Sequence, residues 1–170
     1  PLDLGDGPGI DRLGSVIAGR HGRLDVLVGN AAVLGRLGPL GHCPPEMWEE
    51  VLAINVTANW RLIRAFDPLL RAAPAGRAMF VTSGVSRMTL PYWGPYATSK
   101  VALDMLVKTY AAEVANTKVR VNIVDPGVVR EHLHPGHCPP VDEIPVHAIG
   151  TAGWTHIVLL LERIRSKFLH

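Results

Sequence analysis

The sequence predicts an α/β protein built on a doubly wound parallel sheet. Three short aliphatic and β-branched runs, at residues 24–30, 77–83 and 119–125, alternate with amphipathic stretches long enough for helices. That alternation calls for βαβ units. The first run is nearly continuous, as a strand buried on both faces is, and 77–83 reads as a second buried strand. Ligands of such sheets bind beyond the carboxyl ends of the strands, and Asn30, Ser83 and the segment Asp125 to Gly127 stand at those ends.

The elements follow in order. Ile10, Leu13 and Ile17 recur at helical spacing and Gly22 suits a left-handed helix end, so a short amphipathic helix opens the chain. Leu24 to Asn30 is the first strand. Pro44 and Pro45 fit a first helical turn, and Trp48, Val51, Leu52, Val56, Leu62, Ile63 and Phe66 carry an apolar stripe to about Arg71, with Pro68 expected to bend or end it. Arg77 to Ser83 is the second strand. A loop rich in Gly, Pro and aromatics runs to Pro95, a helix spans Tyr96 to about Ala115, and Val119 to Asp125 forms the third strand. Beyond Gly127 the character changes: six of the eight histidines and four prolines fall in the last 40 residues, so Arg130 to about Ile149 reads as irregular. Ile157, Leu160, Leu161, Ile164 and Phe168 then predict a closing amphipathic helix. The division is a domain at 1–130 and a divergent tail at 131–170, irregular then helical.

Composition excludes several classes. With 17 basic and 15 acidic residues and no run of like charge, no nucleic-acid footprint is expected. The longest apolar run, Ile157 to Leu161, is far too short to span a membrane. Two distant cysteines, Cys43 and Cys138, make neither a disulfide framework nor a zinc-finger pair, which fits a reducing, cytoplasmic setting. The chain begins at Pro1 rather than Met, and the expectation is that an upstream segment exists. His132, His134, His137 and Cys138 are good metal-ligand types, but without a framing helix or hairpin a solvated loop is the simpler reading and no metal is expected.

The chemistry concentrates on Tyr96 and Lys100, an i, i+4 pair near a helix N-terminus whose side chains emerge on one face. A free phenol, with a pKa of about 10, is a poor proton-transfer group at neutral pH. An ammonium about 5 Å away, at an effective dielectric of about 20, favours the phenolate by roughly 3 kcal/mol and lowers that pKa by about two. Ser83, thirteen positions earlier at a strand end, can hydrogen-bond an oxygen that Tyr96 protonates. Asn55 is a polar residue within an apolar helical stretch.

Asn55, Ser83, Tyr96 and Lys100, in this order and in these elements, resemble the Asn-Ser-Tyr-Lys tetrad of the short-chain dehydrogenase/reductase family. Leu24 to Ala32 is similar to the family's Asn-Asn-Ala-Gly strand end, Asn55-Val56 to its Asn-Val helix, Asp125-Pro-Gly127 to its Pro-Gly turn, and Asp3-Leu4 to the position whose Asp meets the adenine. The resemblance covers about residues 2 to 130. It implies a Rossmann-like sheet and reversible hydride transfer between NAD or NADP and a small-molecule carbonyl or secondary alcohol. Tyr96 would be the general acid or base. Lys100 would lower its pKa and bind the nicotinamide ribose, Ser83 would orient the carbonyl, and Asn55 would hold a relay water through its backbone carbonyl. Asp3 and Asn30 would position the adenosine half, the backbone around Pro126 and Gly127 the nicotinamide, and Ala31 would also line the cofactor site. The loop Tyr92 to Pro95 would abut the carbonyl and favour an apolar substrate. Helices 44–71 and 95–115 match those through which the family self-associates, with Trp48, Trp60 and Met105 as candidate interface residues.

The chain also departs from the pattern. Gly29 replaces the first Asn of Asn-Asn-Ala-Gly, Ala32 replaces the last Gly, and Pro126-Gly-Val-Val-Arg-Glu131 lacks the Thr that commonly follows the turn. No Gly-rich phosphate-binding turn precedes Leu24, so the predicted sheet is incomplete, with its first βαβ unit missing. In the order 3-2-1-4-5-6 the strands present would be 4, 5 and 6. Strand 24–30 would then have an unpaired edge, which predicts poor stability. NAD versus NADP is set at the end of a strand this sequence lacks. A non-catalytic member that keeps the tetrad but acts only through protein association is the competing reading, and a shifted reading frame after about Arg130 would account for the change in composition.

Overall fold

The structure, a computed structural model, describes residues 2–127 and 157–160. Helix α1 spans Gly7–His21. Asp6 caps it by accepting the Gly9 N–H at 2.9 Å, and Gly22, in the left-handed region at φ 67°, ends it by donating its N–H to the Ala18 carbonyl. Strand β1 (Val26–Gly29) follows, then α2 (Pro45–Leu52), a π-helical turn (Ala53–Thr57) and α3 (Ala58–Ala72). Strand β2 (Arg77–Val81), α4 (Gly94–Glu113), β3 (Arg120–Val124) and β4 (Ile157–Leu160) complete the described elements.

The four strands are parallel in the order β3-β2-β1-β4. The crossovers from β1 to β2 and from β2 to β3 run through α2–α3 and α4, so the catalytic candidates on those helices are carried to the carboxyl end of the sheet. The core between sheet and helices is built from Leu27, Phe80, Leu62, Phe66, Leu70, Leu103 and Val107, all essentially inaccessible, with Ile10 of α1 packed among them. α1 lies close on α3: a Cβ at Gly14 would stand 3.1 Å from that of Ala65, closer than an ordinary contact. Among the described residues no helix is long and apolar enough to cross a membrane.

Several expectations need correction. The closing helix predicted from residue 157 begins instead as β4, and the rest of that predicted helix lies outside the described residues. β4 pairs with β1 from Val26↔Ile157 to Gly29↔Leu160, so the edge of β1 expected to be unpaired is covered. The physical reason is that Ile157-Val-Leu-Leu160 is apolar at every position, and such a run satisfies a helical stripe and a buried strand equally well. The open N–H and C=O row of β1 decides between them. Pro68 does not end its helix: α3 continues to Ala72, with Leu69 and Leu70 anchored in the core while Pro68 faces outward. The long helix predicted over 44–71 is interrupted at 53–57 by the π turn. β2 alternates, with Ala78 and Phe80 buried and Arg77, Met79 and Val81 half-buried, so it is fully covered on one face only. The irregular stretch 130–149 and the His-Cys cluster 132–138 lie outside the described residues.

Two consequences are measurable. A Cβ at Gly29 would fall 2.5 Å from both Asn59 Oδ1 and Phe80 Cδ1, so the glycine is required by packing and the family's Asn would not fit here. Gly29→Ala should cost about 1–3 kcal/mol, read as a lower urea midpoint at constant slope. Tyr110 on α4 donates to Asp67 Oδ1 of α3 at 2.9 Å, and burial first, then that hydrogen bond, raises its phenol above the usual value of about 10. A raised phenol contributes stability that is fully present below about 10 and is lost as the pH climbs through the folded value. Tyr110→Phe should therefore cost about 1 kcal/mol at pH 8, with the gap to wild type narrowing by pH 11.

Candidate active site

Asn55 lies in the π turn, where the wider winding pushes one residue out of the regular helical register. Its side chain is wholly buried and makes three hydrogen bonds. Oδ1 accepts the Val33 N–H at 2.8 Å, and Nδ2 donates to the Val33 carbonyl and to Ser99 Oγ, both at 2.9 Å. Ser99 in turn donates to the Tyr96 carbonyl at 2.7 Å. One carboxamide thus joins the loop after β1 to the second turn of α4. The Asn55 backbone carbonyl, expected to hold a water, accepts the Asn59 side-chain amide at 2.9 Å.

Ser83 lies two residues beyond β2, at the start of the turn Gly84–Arg87, near enough to Tyr96 to act on its phenol. Lys100 is 2% exposed. Its Nζ donates to the Val81 carbonyl at 2.9 Å and lies 5.5 Å from the centre of the Tyr96 ring. Asn55, Ser83, Tyr96 and Lys100 therefore converge at the carboxyl ends of β1 and β2. Asn30 is exposed and Ala31 half-buried in the loop that Asn55 holds at Val33. Beyond β3, Asp125 Oδ1 accepts the Gly127 N–H at 3.1 Å, shaping the turn through exposed Pro126 and Gly127, the latter at φ 72°. Asp125 Oδ2 is paired with Arg87, which ties that turn to the loop after β2. Asp3 is exposed in the turn before α1, where its carboxylate accepts the Gly5 N–H at 2.8 Å.

The electrostatics depart from expectation. Lys100 was predicted to lower the Tyr96 pKa, yet the phenol is raised above its ordinary value. Burial is the main cause and Asp125 adds to it, while only the Ser83 hydrogen bond opposes them. The ammonium lies over the ring and is turned to the Val81 carbonyl, and burial pushes Lys100 itself down to about 8. A separation-based estimate leaves out this loss of hydration, which penalises whichever form is charged.

Two loops rim the site. The Gly38 N–H donates to the Tyr92 carbonyl at 3.0 Å, and Leu40 crowds Gly94, where a Cβ would come within 2.6 Å of its side chain. Tyr92 holds a positive φ of 73° with its ring exposed, and Trp93 stacks obliquely on Tyr96 with centroids 6.1 Å apart. Sequence reasoning missed Ser99, Asn59, and the pair formed by Thr82 and Asp104, whose hydroxyl and carboxylate are hydrogen-bonded. Ser99 was in view within Tyr-Ala-Thr-Ser-Lys, and Asn59 follows Asn55 at i+4, but nothing in the spacing marked either as a partner.

The sequence profile described as short chain dehydrogenase matches residues 1–135. Rat dehydrogenase/reductase SDR family member 4 is 40% identical over 113 residues, covering 66% of this chain and 40% of the relative. The uncharacterized oxidoreductase YciK of Escherichia coli K12 is 34% identical over 131 residues, covering 77% and 52%. Among solved structures, a short chain dehydrogenase from E. coli CFT073 complexed with NADPH superimposes with a TM-score of 0.70 at 35% identity, covering 74% of this chain and 53% of that one. The chain spans about half, or less, of the length of these relatives. With its parallel sheet, the profile match over most of its length and relatives of this identity, the chain belongs to the short-chain dehydrogenase family.

Proposed function

We propose that this chain carries the catalytic half of an NAD(P)-dependent oxidoreductase that moves hydride between a nicotinamide cofactor and a small-molecule carbonyl or secondary alcohol. The observation that carries the reading is the placing of Lys100, whose Nζ is held by the Val81 carbonyl 5.5 Å from the centre of the Tyr96 ring at the carboxyl end of the sheet, with Ser83 near enough to the phenol to oppose the rise in its pKa. Because burial raises the phenol, Tyr96 is protonated at neutral pH, the form needed to deliver a proton to the oxygen of a carbonyl being reduced. Ser83 orients that oxygen by hydrogen bonding. Asn55 keeps Tyr96 in place through Ser99.

The donors at the strand ends suit a dinucleotide: the exposed Asn30 amide, the Lys100 ammonium, and the turn at Pro126 and Gly127, with Ala31 beside them. When bound, the cofactor would supply or accept the hydride, with Lys100 toward its ribose and the 126–127 backbone toward its nicotinamide. Asp3, in its own turn before α1, is the candidate for the adenine side. NADPH in the E. coli CFT073 relative and the name "NAD-dependent oxidoreductase" of a Mycobacterium tuberculosis relative, 37% identical over 126 residues, support both cofactors. Exposed Tyr92 and Leu40 on the rim suit an apolar substrate. Exposed Trp60 on α3 and Met105 on α4 are candidates for self-association.

The reading is tested by titrating the 170-residue chain with NADH and then NADPH, following reduced-nicotinamide fluorescence on a sample shown by circular dichroism to be folded. Saturable binding is expected. In the longest natural product containing this chain, Tyr96→Phe should abolish nearly all turnover, on the order of 100-fold or more, while leaving cofactor affinity within about twofold. Undiminished turnover would remove Tyr96 from its role.

A further inference from the structure

Asp104 stands one turn beyond Lys100 on α4, so Tyr96, Lys100 and Asp104 form an i, i+4, i+8 row along one side of the helix. Its carboxylate accepts the hydroxyl of Thr82, which is 2% exposed. The Thr82 N–H donates to the Val124 carbonyl at 2.8 Å, fixing this residue to β3 as well. Thr82 separates Val81, whose carbonyl receives Lys100 Nζ, from Ser83, which acts on the Tyr96 phenol. One carboxylate thus touches the single residue between the two groups that set the geometry of the pair.

We propose that Asp104 is a positioning residue for the candidate site: through Thr82 it fixes the strand end that holds Lys100 and Ser83, and its negative charge keeps the buried Lys100 an ammonium. The proposal rests on the reading of Lys100 given above. Burial pulls Lys100 toward the neutral amine, and Asp104 is the charge that opposes it. Asp104 also lines a cavity of about 330 Å³ together with Arg87, Lys108 and Asp125. The charged and titratable groups around the row are accounted for among the described residues. Arg87 and Asp125 are paired with each other, Lys108 lies a further turn along α4, and Tyr96 is neutral below its raised pKa.

The test is a pH titration of the full chain by NMR with lysine labelled at the ε position, the Lys100 signal being assigned by its loss in Lys100→Arg. The wild-type midpoint should be about 8. Asp104→Asn keeps an acceptor for Thr82 but no charge, and the Lys100 midpoint should fall below the wild-type value. Asp104→Glu should bring it back toward the wild-type value. Should Asp104→Asn prove unfolded by circular dichroism, Asp104→Ser makes the same prediction. A Lys100 midpoint unmoved in a folded variant that is neutral at position 104 would overturn the proposal. The readout needs neither cofactor nor turnover, so its failure leaves the role of Tyr96 standing, and a chain that binds no nicotinamide leaves this result intact.

Discussion

The arrangement depends first on one buried carboxamide. Asn55 has no exposed surface, and a polar side chain can be kept there only if its donors and acceptor are satisfied. The three bonds it makes reach two elements that share no hydrogen-bonded ladder: the loop leaving β1 and the second turn of α4. Removing the side chain would leave the half-buried Val33 amide and the buried Ser99 hydroxyl without these partners, at a cost of about 1 kcal/mol for each bond lost. The π turn makes this reach possible, because a regular helix over 45–72 would place residue 55 in a different register against the loop. A second amide, Asn59, occupies the Asn55 backbone carbonyl, so side chain and main chain of the same residue are both engaged.

Much of this was legible in the sequence, for reasons that differ by element. The strands β1 and β2 carry near-continuous apolar runs, β3 alternates apolar with polar residues, and Gly22 and the Pro44-Pro45 pair mark helix ends by chemistry that needs no tertiary information. Tyr96 and Lys100 could be paired because i, i+4 spacing on a helix is geometry fixed by the backbone alone. What could not be read was decided by contacts distant in sequence. Ile157 to Leu160 carries no local preference that separates strand from helix, and its state follows from the open ladder of β1. The π turn leaves no mark in composition. Gly29 appears in the sequence as a lost asparagine, and only the approach of Asn59 and Phe80 reveals that a side chain has no room there. Pro68 is tolerated because it points outward while its neighbours hold the helix to the core, a balance that local rules do not weigh.

The least legible feature was the sign of the electrostatic effect on Tyr96. Treating Tyr96 and Lys100 as two charges at a known separation favours the ion pair. Burial acts on both groups at once and in the opposite sense, raising the phenol and lowering the ammonium, so that each is driven toward its neutral form. Charge in the row must then be supported from outside the pair. The Val81 carbonyl supplies a partial negative charge to Lys100, Asp104 a full one, and Ser83 a hydrogen bond to Tyr96. Asp125 works against ionisation of the phenol from the far side. A proton leaving Tyr96 is therefore governed less by the lysine four residues away than by the strand ends of β2 and β3, which carry every one of these groups except Asp104. In a parallel sheet those ends are where the ligand is expected, so the same backbone that positions a substrate also sets the protonation of the group that would act on it.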